Sequence, residues 1–124
     1  MSAWTPDELS TIGVAEELEI APMRRDGSLR CPVTIWVASS GDDLYVRAVN
    51  GRAATWFRGT QDRHEAHIEA GGLAKEVRLV ETDDLSDQID AAYRAKYGRY
   101  AKSIVDSIVT PQARAATLRL APLS

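Results

Sequence analysis

Residues 44–59 read Leu-Tyr-Val-Arg-Ala-Val-Asn-Gly-Arg-Ala-Ala-Thr-Trp-Phe-Arg-Gly, and this stretch is the most informative part of the chain. Every second residue of 44–48 is aliphatic, which is typical of a strand with one buried face. The turn Asn50-Gly51 follows, and a short helical segment opens with Arg52. Unpaired backbone N–H groups at a helix start, beside arginines, suit a phosphate or another anion. The stretch therefore predicts a strand, a turn and a helix start that hold an anionic ligand.

Positive charge is concentrated around this stretch. The 124-residue chain has a formal net charge of −3, yet residues 24–63 contain seven arginines and only four acids. The first 23 residues contain five acids and no basic residue. This distribution favours an anionic ligand in the middle third of the chain.

Length and composition exclude several classes of protein. With 44% hydrophobic and 27% charged residues, the chain is typical of one globular domain spanning 1–124. Its mild acidity disfavours nucleic acid or an anionic membrane as a partner, because those need an extended basic face. No apolar run approaches the roughly 20 residues that span a bilayer, and no signal peptide is visible. The single cysteine, Cys31, excludes an intramolecular disulfide and fits the reducing cytoplasm.

The first third of the chain predicts a helix and a hairpin. Thr5-Pro6-Asp7-Glu8 has the pattern of a capping box, and a helix is expected over 6–12. A strand follows near 18–21, and Asp26-Gly27 is a strong hairpin turn signal. The return strand, 29–37, has five alternating apolar residues that should share one buried face. Cys31 is one of them and is expected to be a small core residue.

The remaining segments predict three more strands and two helices. Strands are expected at 64–70 and 73–80, joined by Gly71-Gly72, and a last strand at 116–120. The spacing of apolar residues predicts an amphipathic helix over 84–97, capped by Asp83 or Asp84, and a further helical turn near 104–109. Together these elements indicate an α+β domain in which five to six antiparallel strands form a small barrel or a sheet with flanking helices.

With these elements in place, the chain resembles the split-barrel superfamily of flavin-binding proteins. That superfamily includes pyridoxamine-phosphate-oxidase-like and deazaflavin-dependent nitroreductase-like proteins. More closely, the chain is similar to a family of short bacterial proteins described as a domain of unknown function. The segments that carry the resemblance are 24–30, 33–37, 45–47, 51–59, 70–72 and 91–98.

The resemblance implies a cofactor, FMN or the deazaflavin coenzyme, and a binding site for its phosphate. Carried over position by position, the phosphate ligands are Arg30, Arg47 and Arg52, with turn amides from Asn50 and Gly51. The resemblance also implies a homodimer with the flavin ring near the subunit interface. The alternative for the arginines is a solvated strand face with surface ion pairs, which contribute only about 0–1 kcal/mol each.

Aromatic residues and histidines offer further candidates. Trp36, Trp56 and Phe57 can stack on a flat ring or line an apolar pocket, or they can pack a core or a dimer interface. Of these, Trp56 is the stronger pocket candidate. His64 and His67 are three apart in a strand-like segment, which sends their rings to opposite faces, so no metal site is predicted.

The leading functional hypothesis is a homodimeric split barrel that binds a flavin-type cofactor and passes hydride to a small organic substrate. The cofactor would supply the chemistry, and no catalytic side chain is nominated. The alternative is a cofactor-free barrel that binds a small ligand or acts as a dimeric interaction module. A third hypothesis is a cofactor-free enzyme that uses His64 or His67 as an acid or base.

Overall fold

The protein is an antiparallel seven-stranded barrel flanked by helices. The computed structural model describes residues 4–82 and 85–123. The strands are β1 Leu18–Pro22, β2 Val33–Ile35, β3 Val37–Ser40, β4 Asp43–Arg47, β5 Glu65–Ala70, β6 Leu73–Glu81 and β7 Thr117–Pro122. The helices are α1 Pro6–Gly13, α2 Thr55–Thr60, α3 Ser86–Tyr97, α4 Lys102–Asp106 and α5 Pro111–Arg114, with a 3₁₀ turn at Gly51–Ala53.

The strand order in the sheet is β2-β1-β5-β6-β7-β4-β3. The two edge strands, β2 and β3, are therefore consecutive in the chain. β2 pairs with β1, with Ile35 opposite Leu18, whereas β3 pairs with β4, with Val37 opposite Val46. Only Trp36 separates β2 from β3, so the chain changes partner strands at this residue. The barrel is therefore nearly closed, and its split lies on the side of β2 that has no partner strand. The predicted α+β split barrel is thus confirmed, with seven strands rather than five or six.

The prediction of one continuous strand over 29–37, with a single buried face, was wrong. Of its five apolar residues only Val37 is buried, and Leu29, Cys31 and Val33 are exposed. The physical reason is that the ladder with β1 begins at Val33 and the chain bends after Ile35. The preceding residues therefore lie outside the barrel, and Cys31 is not a core residue.

Other local predictions are confirmed. Helix α1 begins with the predicted capping box, in which Thr5 and Glu8 exchange side chain-to-backbone hydrogen bonds. Gly71 and Gly72 join β5 to β6 with φ angles of +59° and +87°, a conformation that favours glycine. The two aspartates predicted to cap α3, Asp83 and Asp84, lie outside the described residues.

Apolar side chains form two cores on opposite faces of the sheet. The first fills the barrel and includes the predicted inner residues of β4. The second lies between the outer face of β3 and β4 and the helices α3 and α4. Its buried members are Ala38, Tyr45, Ile89, Tyr93, Tyr97, Val105 and Ile108. Helix α3 therefore covers the outer face of the strand that carries Arg47. Within the described residues, no helix is long and apolar enough to cross a bilayer.

Candidate functional site

A cavity of about 670 Å³ lies at the split of the barrel. One wall is β2 with Trp36, and the opposite wall is the end of β4 with the residues that follow it. The start of α2, the 22–31 hairpin and the segment from α4 to Ile108 complete the lining. The lining residues are Pro22, Arg24, Arg30, Cys31, Val33, Thr34, Ile35, Trp36, Arg47, Val49, Asn50, Ala54, Thr55, Trp56, Ile104, Ser107 and Ile108.

The charged side chains of this lining have one sign. They belong to Arg24, Arg30 and Arg47, and the described lining residues include no aspartate, glutamate, lysine or histidine. Most of the other lining residues are apolar. The cavity therefore suits a ligand that joins an apolar body to an anionic group.

The hairpin turn explains how Arg24 and Arg30 come to the same wall. Met23 forms a β-bridge with Leu29, and the Arg30 N–H donates to the Pro22 carbonyl at 2.8 Å. In this antiparallel register, opposite residues and alternate residues share a face, so Arg24 and Arg30 point to one side. Arg24 is not among the site residues that the sequence predicts, although the Asp26-Gly27 turn signal predicts the hairpin that carries it.

Arg30 is held in place from two directions. Its Nη2 donates to Asp62 Oδ2 at 2.6 Å, and its side chain crosses Gly59 of α2. A Cβ at position 59 would lie 2.8 Å from Arg30 Cδ and 2.9 Å from Nε, so the glycine makes this approach possible. Arg30 Nε is buried and has no hydrogen-bond partner among the described residues. The Arg30 side chain is thus fixed at the wall by Asp62 and by its close approach to Gly59.

Arg47 is turned toward the second core. Its guanidinium forms a buried ion pair with Asp90 of α3 and donates to Thr117 Oγ1 at 2.9 Å. It also donates to the carbonyls of Ile108, at 3.1 Å, and Ser86, at 3.2 Å. Arg47 therefore lines the cavity wall, but its charge is compensated by Asp90 and most of its donors bind protein groups.

Arg52 and Gly51 are not among the residues that line the cavity. Arg52 Nη1 lies 2.7 Å from Glu81 Oε1 and 3.1 Å from the Ala115 carbonyl, and its guanidinium sits 5.1 Å from the Phe57 ring centroid. The hydrogen bond from Arg52 lowers the pKa of Glu81 below its usual value. Of the residues that the resemblance implies, Arg30, Arg47, Asn50 and Trp56 thus line the cavity, whereas Arg52 and Gly51 lie outside its lining.

Two tryptophans form the flat part of the wall. Trp36 stacks on Tyr97 with ring centroids 3.9 Å apart and an interplanar angle of 2°. Burial raises the pKa of Tyr97 to about 12, and its hydroxyl donates to the Glu16 carbonyl at 2.9 Å. Trp56 is buried against Phe57 in an edge-on arrangement. The lining thus contains two rings held in place by their neighbours.

The mouth of the cavity is apolar and exposed. Val33, Val49 and Ile104 line it and retain 36%, 46% and 48% of their accessible surface. They come from three distant parts of the chain, so no local sequence pattern predicts that they line the same cavity. Such a rim is typical of a ligand entrance or a protein interface.

The two histidines do not line this cavity. His67 Nδ1 lies 3.1 Å from Glu76 Oε1, and His64 Nε2 lies 4.0 Å from Glu81 Oε2. Within the described part of the chain, no three His, Cys, Asp or Glu residues are grouped to hold a metal ion.

Solved structures with the same fold include proteins with different descriptions. The heme storage protein HutZ from Vibrio cholerae has a TM-score of 0.67 and 18% identity over 100% of this chain and 92% of that one. An F420 reductase has a TM-score of 0.59 and 16% identity over 94% of this chain and 93% of that one. ChuZ from Campylobacter jejuni has a TM-score of 0.59 and 14% identity over 94% of this chain and 51% of that one. These likenesses show the fold alone.

Sequence comparison gives the family. No curated protein has a significantly similar sequence. A family described as "Uncharacterized protein conserved in bacteria (DUF2255)" matches residues 8–120. Since this match spans nearly the whole chain, the protein belongs to the DUF2255 family.

Proposed function

We propose that the protein binds a cofactor of the flavin or deazaflavin class in the cavity at the split. The observation that carries the proposal is the composition of the lining, in which the charged side chains are arginines, two residues are tryptophans and most of the others are apolar. A volume of about 670 Å³ is within the range of cofactor sites, roughly 300–1,000 Å³. A flavin has the matching chemistry, since it joins a planar ring to an anionic phosphate tail.

The proposed arrangement assigns different tasks to the two ends of the cavity. Arg24 and Arg30 hold the phosphate, because a guanidinium donates two parallel hydrogen bonds to phosphate oxygens. Trp36 and Trp56 position the ring and exclude water from it. Arg47, whose charge is compensated by Asp90, supports the wall from behind.

When bound, the cofactor would supply hydride-transfer chemistry. The proposed activity is then that of an oxidoreductase acting on a small organic substrate. The chain's own residues bind, orient and shield the reactants, and no side chain is needed as an acid or base.

Heme is the competing ligand, because a structural relative is described as a heme storage protein. Heme iron in proteins is held by His, Cys, Met or Tyr. Among the described lining residues only Cys31 belongs to this set. This composition favours a flavin over a heme.

The proposal is tested by titrating the protein with FMN, riboflavin, the deazaflavin coenzyme and hemin. We expect FMN to bind at least tenfold more tightly than riboflavin, which lacks the phosphate, because charge-assisted hydrogen bonds contribute about 1.5–3 kcal/mol. FMN should also slow the alkylation of Cys31, the exposed thiol of the cavity wall. Binding of hemin alone would contradict the flavin proposal in favour of heme. If none of these cofactors binds, the alternative of a cofactor-free binding module is supported instead.

Two single variants, Arg24→Gln and Arg30→Gln, should each weaken FMN binding about tenfold and leave riboflavin binding unchanged. The physical reason is the loss of one charge-assisted contact to phosphate, about 1.4 kcal/mol. Isothermal titration calorimetry of each variant measures the change. Arg52→Gln is the matched comparator, since Arg52 is an arginine outside the cavity lining. A loss of FMN affinity in Arg52→Gln alone would move the phosphate to the turn that the sequence predicted.

We also propose that two copies of the chain form a homodimer through the apolar rim of the cavity. The support is the exposure of Val33, Val49 and Ile104 around one open mouth. Val49→Glu should convert the dimer to a monomer in light scattering, because a charge would be buried at the interface. Val14→Glu is the control, as Val14 is 76% exposed and does not line the cavity. A wild-type monomer, or equal effects of both variants, would contradict this interface.

A further inference from the structure

A cluster of three aromatic rings connects the cavity wall to the protein surface. Trp36 lines the cavity, and its ring stacks on Tyr97 with centroids 3.9 Å apart and an interplanar angle of 2°. The Tyr100 ring centroid lies 5.4 Å from that of Trp36 and 6.1 Å from that of Tyr97. Tyr97 is fully buried, whereas Tyr100 is only half-buried. The cluster therefore provides continuous aromatic contact from the cavity to a tyrosine at the surface.

The two tyrosines of this cluster differ in the group that accepts the phenolic proton. The Tyr100 hydroxyl donates to a carboxylate oxygen of Glu16, whose side chain is 44% exposed. The Tyr97 hydroxyl donates to the backbone carbonyls of Glu16, at 2.9 Å, and Val37, at 3.2 Å. A carboxylate within hydrogen-bond reach can take a proton and pass it to water, whereas an amide carbonyl cannot. Tyr100 is therefore the tyrosine of the cluster that is able to lose an electron and a proton together.

The charges around the cluster favour the same tyrosine. Lys96 Nζ lies 5.0 Å from the centroid of the Tyr97 ring, and this ammonium disfavours a second positive charge on that ring. The Arg99 guanidinium lies 5.0 Å from the Tyr100 centroid and forms an ion pair with Glu16. Arg99 also opposes positive charge on Tyr100, but a tyrosine that has given its proton to Glu16 carries none. Oxidation is thus disfavoured at Tyr97 and permitted at Tyr100.

We propose that Trp36 and Tyr100 form a one-electron relay between the cavity and the surface. The inference rests on the proposed function for its oxidant, which is a flavin excited by light. One electron passes from the Trp36 indole to the flavin ring, and Tyr100 then gives one electron to the oxidised indole. The phenolic proton of Tyr100 moves to the Glu16 carboxylate. The net change is one electron moved from Tyr100 to the flavin ring, one proton moved to Glu16, and Trp36 restored.

The relay preserves the wall on which the proposed cofactor site depends. Oxidation that stayed on Trp36 would leave a reactive radical in the cavity lining. Transfer to Tyr100 places the radical on a half-buried ring beside an exposed carboxylate, where reductants in solution reach it. Trp36 then keeps its stack on Tyr97 and remains available to position a ring.

Pulse radiolysis of the full chain without cofactor tests the relay by itself. Azide radicals remove one electron from tryptophan, and Trp4 and Trp56 are buried, whereas Trp36 is half-buried. We expect the absorbance of the tryptophanyl radical to decay as that of a tyrosyl radical grows, at a rate independent of protein concentration. Trp36→Phe should lose this coupled transfer, and Tyr100→Phe should lose the tyrosyl signal.

Two further variants separate the relay from simple packing. Glu16→Gln should slow formation of the tyrosyl radical, because an amide cannot take the phenolic proton. Tyr93→Phe is the matched control, since the Tyr93 ring centroid also lies 6.1 Å from that of Tyr97 but the residue is fully buried and its hydroxyl donates to backbone carbonyls. We expect Tyr93→Phe to transfer as the wild type does. Equal tyrosyl signals in wild type and Tyr100→Phe, or no transfer in the wild type, would overturn the relay.

Flash excitation of the FMN-loaded chain tests the oxidant. We expect electron paramagnetic resonance to show a tyrosyl radical that is lost in Trp36→Phe and in Tyr100→Phe, and FMN fluorescence to recover in Trp36→Phe. A chain that binds FMN and transfers after the azide pulse, but forms no tyrosyl radical after the flash, would overturn a flavin as the oxidant. A chain that transfers after the azide pulse but does not bind FMN would support the relay and contradict the proposed function.

Discussion

Replacing Asp90 by alanine should lower the free energy of unfolding by about 3–5 kcal/mol. Removing one partner of a buried ion pair leaves the other charge uncompensated in a low-dielectric environment. The side chain of Arg47 is fully buried, and that of Asp90 is 11% exposed. Asp90 also accepts a hydrogen bond from Arg114 of α5, so its loss leaves two guanidinium groups without their shared carboxylate. Urea unfolding followed by circular dichroism measures the change.

Asp87→Ala is the matched control for this prediction. Asp87 lies one turn earlier on α3, and its Oδ1 is 3.7 Å from Arg114 Nη2, but its side chain is 96% exposed. We expect a change within about 0.5 kcal/mol, as is usual for an exposed pair. Equal destabilisation by the two alanine variants would contradict a buried network centred on Asp90.

Phe57→Ala should destabilise the protein by a similar amount, about 3–5 kcal/mol, because it opens a cavity in the barrel core. Phe57 is 1% exposed and belongs to α2, where it packs edge-on against Trp56. The loss should also loosen the wall that Trp56 contributes, so FMN binding should weaken in the same variant. Thermal unfolding and FMN titration measure the two effects.

Phe57→Leu is the control, because it retains most of the buried volume and should cost less than about 1.5 kcal/mol. If both variants have wild-type stability, Phe57 does not fill the barrel core. If the alanine variant loses stability but binds FMN normally, α2 does not form part of the binding site.

The sequence predicts well the elements whose pattern is local. The capping box at Thr5 and Glu8, the turn at Gly71-Gly72 and the aliphatic alternation of 44–48 each depend on neighbours within a few residues. The structure contains all three as expected. These signals are sufficient for an α+β domain of antiparallel strands, but not for the closure of its sheet into a barrel.

The features that sequence reasoning missed depend on contacts between distant segments. Arg47 alternates like a solvated strand residue, and nothing near it in the chain indicates that α3 and its Asp90 cover that face. The segment 29–37 has a perfect strand pattern, yet its first residues extend beyond the ladder. Arg24 joins Arg30 at the cavity because of a hairpin register, which composition does not reveal.

Trp36 has a consequence for how this protein tolerates changes in chain length. Trp36 directly joins β2, which pairs with β1, to β3, which pairs with β4. An insertion or deletion at this residue would therefore shift the register of one pair relative to the other. A shift by one position reverses the facing of every side chain in the displaced strand. The side chains of β2 that face the barrel would then point outward, and those that point outward would face the barrel. The wall that β2 contributes to the cavity would change, while the other strands kept their pairing. We therefore expect insertions and deletions at Trp36 to be poorly tolerated.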